Sequence, residues 1–139
     1  MELTREEAIR YHREMWNWIA DHIEKEGCAQ YIPHLKSNFV YKKFPGVYIK
    51  NDCFCCHYAQ SQSINKDNTM CENCPLDWGN PYRKNNFDCE KKYVPKNKDS
   101  DENGLYEHCH YLEDNNWKHQ AELARRIANL PEREVEGEV

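Results

Sequence analysis

Apolar and polar positions alternate most clearly at the two ends of the chain. At about 100° per residue, Ala8, His12, Met15, Trp16, Ile19 and Ile23 fall on one helical face, with Ile9 and Ala20 on its flank. Thr4 followed by Glu7 makes a capping-box pattern, Glu6 and Glu7 suit the positive end of a helix dipole, and Gly27 supplies a stop. A helix over 4–26 is predicted, with His12 a hydrogen-bonded core histidine rather than a ligand. Tyr11, Trp18 and His22 project away from this face as a separate aromatic strip. Its ordinary explanation is coverage by another segment, and an exposed partner-binding surface is the alternative.

Toward the other end, Leu105, Cys109, Leu112, Trp117, Ala121, Leu123, Ala124, Ile127, Ala128 and Leu130 form a second stripe. Lys118, Glu122 and Arg126 lie opposite it at i,i+4 spacing. A closing helix over about 104–130 is predicted, ended by Pro131, with 132–139 an acidic flexible tail.

The middle, 28–98, changes character. Tyr31, Phe39, Val40, Tyr41, Phe44, Val47, Tyr48 and Ile49 are β-formers broken by Pro33 and Pro45-Gly46, which reads as two short strands and a hairpin. Residues 60–70 are polar and loop-like, and Pro75, Gly79, Pro81 and Asn85-Asn86 discourage regular structure beyond Cys74. The expected fold class is therefore α+β. One domain spans 1–131, with the two amphipathic helices packed together around an irregular, metal-organised middle. Trp16, Ile19 and Ile23 are expected to meet Trp117, Ala124 and Ile127.

Composition strengthens the case for a metal. The 139 residues are 31% charged and 39% hydrophobic, carry eight cysteines and have a mean hydropathy of −1.08. Apolar burial is thus modest. No stretch approaches the roughly 18 apolar residues of a membrane span, and the opening residues read as a charged helix start without an apolar signal region. A cytoplasmic, reducing setting is expected, where many cysteines point to metal binding rather than disulfides.

Cys53 and Cys56 form one Cys-x2-Cys pair and Cys71 and Cys74 a second, fourteen residues further on. Each such turn offers two thiolates as two corners of a tetrahedron, which suits structural Zn2+. Cys55, His57 and Cys89 are possible substitutes in this set. A second metal site built from Cys89, His108, Cys109 and His110 is a further possibility, and Cys28 is a further candidate ligand whose ordinary reading is a small buried residue. A saturated four-thiolate site has no open position to activate water, so catalysis is not expected from it. Deaminase, HExxH, Gly-x-Ser-x-Gly and Walker patterns are all missing. Glu107, His108, His110, Asp114 and His119 lie close in sequence and leave a metal-dependent nuclease or hydrolase as a minor alternative.

The segments CFCCHYA (53–59), CENCPLDW (71–78), RIANLP (126–131) and MWNWIADHI (15–23) resemble small uncharacterised phage and prophage proteins. Those combine a tryptophan-bearing helix, two cysteine pairs and a closing helix. The resemblance implies Cys53, Cys56, Cys71 and Cys74 as ligands and implies no activity.

Charge is strongly segregated. Residues 27–50 hold four lysines and no acid, 82–98 hold six basic residues against Asp88 and Glu90, and 99–139 hold eleven acids against four basic residues. Such blocks steer charged partners. The expected function is a non-enzymatic zinc-binding accessory protein acting on a macromolecular partner, foremost a protein, as an inhibitor or modulator. No membrane and no small-molecule substrate is expected. The alternative is a zinc-knuckle nucleic-acid binder using Lys36, Lys42, Lys43, Lys50, Arg83, Lys84, Lys91 and Lys92 among aromatic residues. A net charge of −5 and a pI near 5.8 count against it.

Overall fold

The computed structural model describes residues 1–62, 74–76 and 116–132. Helix α1, Arg5–Glu26, starts where the sequence places it: the Glu7 amide donates to the Thr4 hydroxyl at 3.1 Å and the Thr4 amide donates to the Glu7 carboxylate at 3.0 Å. Gly27 ends it in a left-handed conformation, φ 66°, with its amide on the Ile23 carbonyl. Ala8, Ile9, His12, Met15, Trp16, Ile19, Ala20 and Ile23 are all buried.

The closing helix covers this face. Within the described residues it runs Trp117–Ala128 and begins at Asn116, whose side-chain oxygen accepts the amides of Lys118 and His119. Its direction follows from a ladder of contacts. Arg5 pairs with Glu132, His12 reaches Ile127, Arg13 reaches Leu130, Arg125 grips Asp21 and Glu24, and Gln120 meets Gln30. Rising numbers on α1 meet falling numbers on its partner, so the pair is antiparallel. Trp16, Ile19, Ile23, Ala124 and Ile127 share one buried cluster, with Trp117 at its edge. Gln120 is 1% exposed yet satisfied: its carbonyl accepts the Gln30 amide and its amide donates to the Gln30 carbonyl, both at 2.8 Å. This clasp fixes the connection that follows α1.

The expected hairpin is overturned. Ile32–Lys43 is a helix, α2, with Pro33 in its first turn, where a missing amide proton costs nothing. Ile32, Leu35, Lys36 and Val40 are buried, and Phe39 is half-buried on the same stripe. That is helical spacing, and packing on α1 outweighs the β-preference of these side chains. A short 3-10 turn, Lys50–Asp52, leads into a further helix, α3, Phe54–Gln62, where an irregular knuckle and a loop were expected. With Trp117–Ala128 taken as α4, the described residues are helical and contain no strand. Their β contact is an isolated antiparallel bridge from Leu76 to Glu132. The fold among them is accordingly all-helical rather than α+β.

Helices α2 and α3 close over the aromatic strip of α1. The Tyr11 ring lies 5.1 Å from that of Phe44 and 5.4 Å from that of Phe54, while Trp18 stacks on His22 and meets Phe39 at 5.7 Å. Phe54 is fully buried among these rings. No helix of the described residues is long and apolar enough to cross a membrane. The expected helical stretch 104–115 and most of the acidic tail, 133–139, lie outside the described residues. Glu132, counted with that tail, is tied to Arg5 at 2.9 Å.

Candidate metal centre

The approach to the first cysteine pair is a sharp reversal. Asn51 and Asp52 have φ of 56° and 49°, in the left-handed region that Asn and Asp tolerate better than most residues. The amides of Asp52 and Cys53 donate back to the carbonyls of Ile49 and Lys50, both at 3.0 Å. Cys53 is thereby delivered in extended conformation just ahead of α3. Its sulfur accepts the Cys56 amide at 3.3 Å, as a capping side chain would. Valine at Asn51 is expected to cost about 1–2 kcal/mol, because a branched Cβ is strained at positive φ. Urea unfolding of the variant beside wild type measures it, and an unchanged midpoint would show that this turn does not position Cys53.

This setting favours the form of Cys53 that binds metals. Its pKa is lowered to about 6, chiefly by the hydrogen bond with the Cys56 thiol, with help from the Lys36 cation and the amides of Cys56 and Cys55, against the opposing effect of burial. Half-buried Cys53 and Cys56 stand together at the start of α3. Cys55 differs. It is fully buried beneath α1, its thiol reaching the Ala8 carbonyl at 3.9 Å. Burial first, then hydrogen bonding to Cys74 and the neighbouring negative charge of Cys74 and Cys53, push its pKa well above the ordinary thiol value. A protonated thiol is the wrong form for a ligand.

From the second pair, Cys74 is described and Cys71 is not. Cys74 is 8% exposed and packs with Ile9, Cys55 and Leu76, with Cys53 and Leu130 at the margin. Its segment is docked by the Leu76–Glu132 bridge and by Arg5, which reaches the Pro75 carbonyl at 3.5 Å. Cys53 and Cys74, one thiol from each pair, therefore pack on one cluster beside α1. Among the described residues no group of three or more His, Cys, Asp or Glu side chains is arranged to hold a metal ion. Cys53, Cys56 and Cys74, three of the four expected ligands, are among the described residues and are not gathered as such a group, and Cys71 lies outside them. Cys28, Cys53, Cys55, Cys56 and Cys74 are thiols rather than disulfides, and Cys28, expected to be buried, is exposed just past the Gly27 stop of α1.

His57, a possible substitute ligand, is engaged by backbone on both sides of its ring. Nδ1 accepts the Lys50 amide at 3.2 Å, so Nε2 carries the proton and donates to the Met1 carbonyl at 2.6 Å. Cys89, His108, Cys109 and His110, with Glu107 and Asp114, lie outside the described residues. His119 is half-buried on α4.

Of the eight basic residues of the nucleic-acid alternative, three make side-chain contacts within the described fold. Lys36 is 7% exposed, with its charge acting on Cys53 and His12. Lys43 pairs with Glu14 at 2.7 Å and lies over the Tyr11 and Phe39 rings, and Lys42 lies 5.8 Å from the Trp18 ring centre. Lys50 is half-buried, and Arg83, Lys84, Lys91 and Lys92 lie outside the described residues. Of the proposed partner-binding strip, Tyr11 and Trp18 pack against the core. Among the described residues the most exposed large hydrophobic side chains are instead Tyr31, Tyr41 and Tyr48, at 67%, 72% and 72%.

Sequence reasoning missed the inward roles of Cys55 and Lys36. A signal existed for both. Phe54, Cys55, Tyr58 and Ala59 follow helical spacing, and Lys36 sits within the Ile32, Leu35, Phe39, Val40 stripe. No family model, curated protein or solved structure matches this chain, and its chemistry is read from the geometry above.

Proposed function

We propose that this chain is a non-enzymatic zinc-binding accessory protein that takes one Zn2+ on Cys53, Cys56, Cys71 and Cys74 and works by docking on a protein partner in a reducing, intracellular setting. The observation that supports the reading is the packing of Cys53 against the buried cluster that holds Cys74, which sets one thiol of each Cys-x2-Cys pair on the same cluster. Cys53 already has the low thiol pKa that metal binding needs, while Cys55 and His57 are held in other roles. Bound there, the ion would supply a cross-link between the two cysteine segments, and four thiolates would leave no position for water or substrate.

The residues do the rest. Asn51 and Asp52 turn the chain into the site, the Cys56 amide steadies the Cys53 sulfur, and Arg5 and Glu132 hold the Cys74 segment against α1. The segregated charge and the resemblance to phage proteins support a role as modulator of a partner protein. The burial of Lys36 and the pairing of Lys43 with Glu14 weigh against nucleic acid.

Metal analysis of the reduced full chain, purified from zinc-supplied cells and desalted, is expected to give one equivalent of zinc per chain. Less than about a tenth of an equivalent would overturn the zinc reading, since the strength ordinary for such sites, about 10–16 kcal/mol, survives desalting. A salt titration against single- and double-stranded DNA and RNA is expected to show no binding. Affinity that rises as salt falls would favour the nucleic-acid alternative.

A further inference from the structure

The sequence marks Tyr11, Trp18 and His22 as a strip that either lies under another segment or meets a partner. Tyr11 is enclosed by Phe44 and Phe54, whereas Trp18 and His22 are only half-buried. These two line the seam where α2 lies on α1. The His22 ring stacks on the Trp18 ring, with centres 5.4 Å apart and 26° between planes. From α2, half-buried Phe39 meets the Trp18 ring at 5.7 Å, and exposed Lys42 holds its ammonium 5.8 Å from the ring centre. Among the described residues no carboxylate pairs with Lys42, whereas the adjacent Lys43 is paired with Glu14 at 2.7 Å. The segment from 27 to 50 contains four lysines and no acid. The seam therefore joins an apolar floor to an exposed cation, in a stretch of chain that supplies no acid of its own.

We propose that this seam, formed by Trp18 and His22 of α1 with Phe39 and Lys42 of α2, receives an acidic peptide segment of a partner protein. The inference rests on the protein-docking part of the reading above and is independent of the metal. A partner carboxylate pairs with the Lys42 ammonium, while the Trp18 and Phe39 rings give apolar contact to the side chain beside it. The His22 ring carries an N–H in either protonation state and donates along the same seam. Charge selects this occupant over two others. A second copy of the chain, docked through the same seam in a two-fold contact, sets lysine against lysine. Nucleic acid calls for a row of cations along its phosphates. Here Lys36 is buried and Lys43 is tied to Glu14, which leaves Lys42 to serve a carboxylate.

The test pans a phage-displayed library of random short peptides against the immobilised full chain. The commonest selected sequence is then synthesised with a fluorophore, and its affinity is measured by anisotropy. Selected peptides are expected to be richer in Asp and Glu than the starting library, and the labelled peptide to bind more weakly as salt rises. Reversing the charge in Lys42→Glu is expected to weaken binding by about ten-fold or more. Lys118→Glu is the matched control, at an exposed lysine 5.6 Å from the Trp117 ring centre on α4, and is expected to leave the affinity unchanged. Peptides no richer in acid than the library, an affinity unchanged by Lys42→Glu, or equal losses in the two variants would overturn the proposal. So would the selection of no peptide. Should Lys42→Glu fail to fold by circular dichroism, Lys42→Met, which keeps the stem and removes the charge, decides in its place, with a loss again expected. Acid-poor peptides that bind away from the seam sink this inference and leave the docking reading standing. DNA or RNA binding that Lys42→Glu abolishes sinks both.

Discussion

Replacing Trp16 with alanine is expected to cost about 3–5 kcal/mol, the range for truncating a buried aromatic side chain. Trp16 is 2% exposed on α1, and α2, α3 and α4 all pack against that helix. The ring belongs to the same buried cluster as Met15, Ile19, Ala124 and Ile127, and lies 6.4 Å from the His12 ring. Helices on several sides limit collapse into the void, which places the cost well above simple transfer. Small domains have only about 5–15 kcal/mol in total, so the variant is expected to be partly unfolded at physiological temperature. Urea titration followed by far-ultraviolet circular dichroism measures the effect. Tyr41→Ala, at a side chain 72% exposed, is the control and is expected to shift stability by less than about 0.5 kcal/mol. Equal losses in the two variants would refute the placement of the core.

Acidification is expected to be nearly as damaging, through His12. This residue is 1% exposed, and its Nε2 donates to the Ile127 carbonyl at 2.9 Å, so the neutral ring is built into the α1–α4 contact. Burial lowers its pKa from 6.5 to about 4, with Lys36 and Arg13 adding repulsion and the Ile127 carbonyl opposing them. The unfolded chain takes up a proton near pH 6.5, whereas the folded chain resists until about pH 4. Between these values the unfolded state binds more protons, and stability falls as pH falls. The full loss, about 3 kcal/mol, is reached below the folded value and is absent above pH 7. Glutamine at position 12 can donate to the same carbonyl without titrating. Stability measured from pH 7.5 to 4 for wild type and His12→Gln is expected to diverge below pH 6.5, with wild type losing more. Parallel curves would mean that His12 is not buried in its neutral form.

Legibility varied by element for identifiable reasons. Helix α1 carries every local signal at once: the Thr4–Glu7 box, the acidic first turn, the Gly27 stop and an unbroken stripe. Helix α4 was legible from its stripe, and its expected meeting with α1 holds. Helix α2 was misread because Phe39, Val40 and Tyr41 favour strands as residue types, while their spacing with Ile32 and Leu35 is helical. Spacing prevailed because it determines which side chains can be buried together on α1. Helix α3 was hidden by its cysteines, since Cys53 and Cys56 read equally well as a knuckle or as a helix start.

The cysteine spacing by itself singled out Cys53 and Cys56 as a pair able to share a ligand, because separation along a tight turn constrains geometry within a few residues. Spacing could not say which neighbouring thiol turns inward. That depends on the phase of α3 against α1, which buries Cys55 under Ala8 and leaves Cys53 and Cys56 at the margin. Nor could it reveal that Lys36, a surface residue by type, lies on the buried face of α2, or that Cys74 joins Cys55 in one buried cluster. Local propensity and periodicity are written in neighbouring residues, whereas burial and charge environment are properties of segments far apart in the chain that meet only when the helices pack.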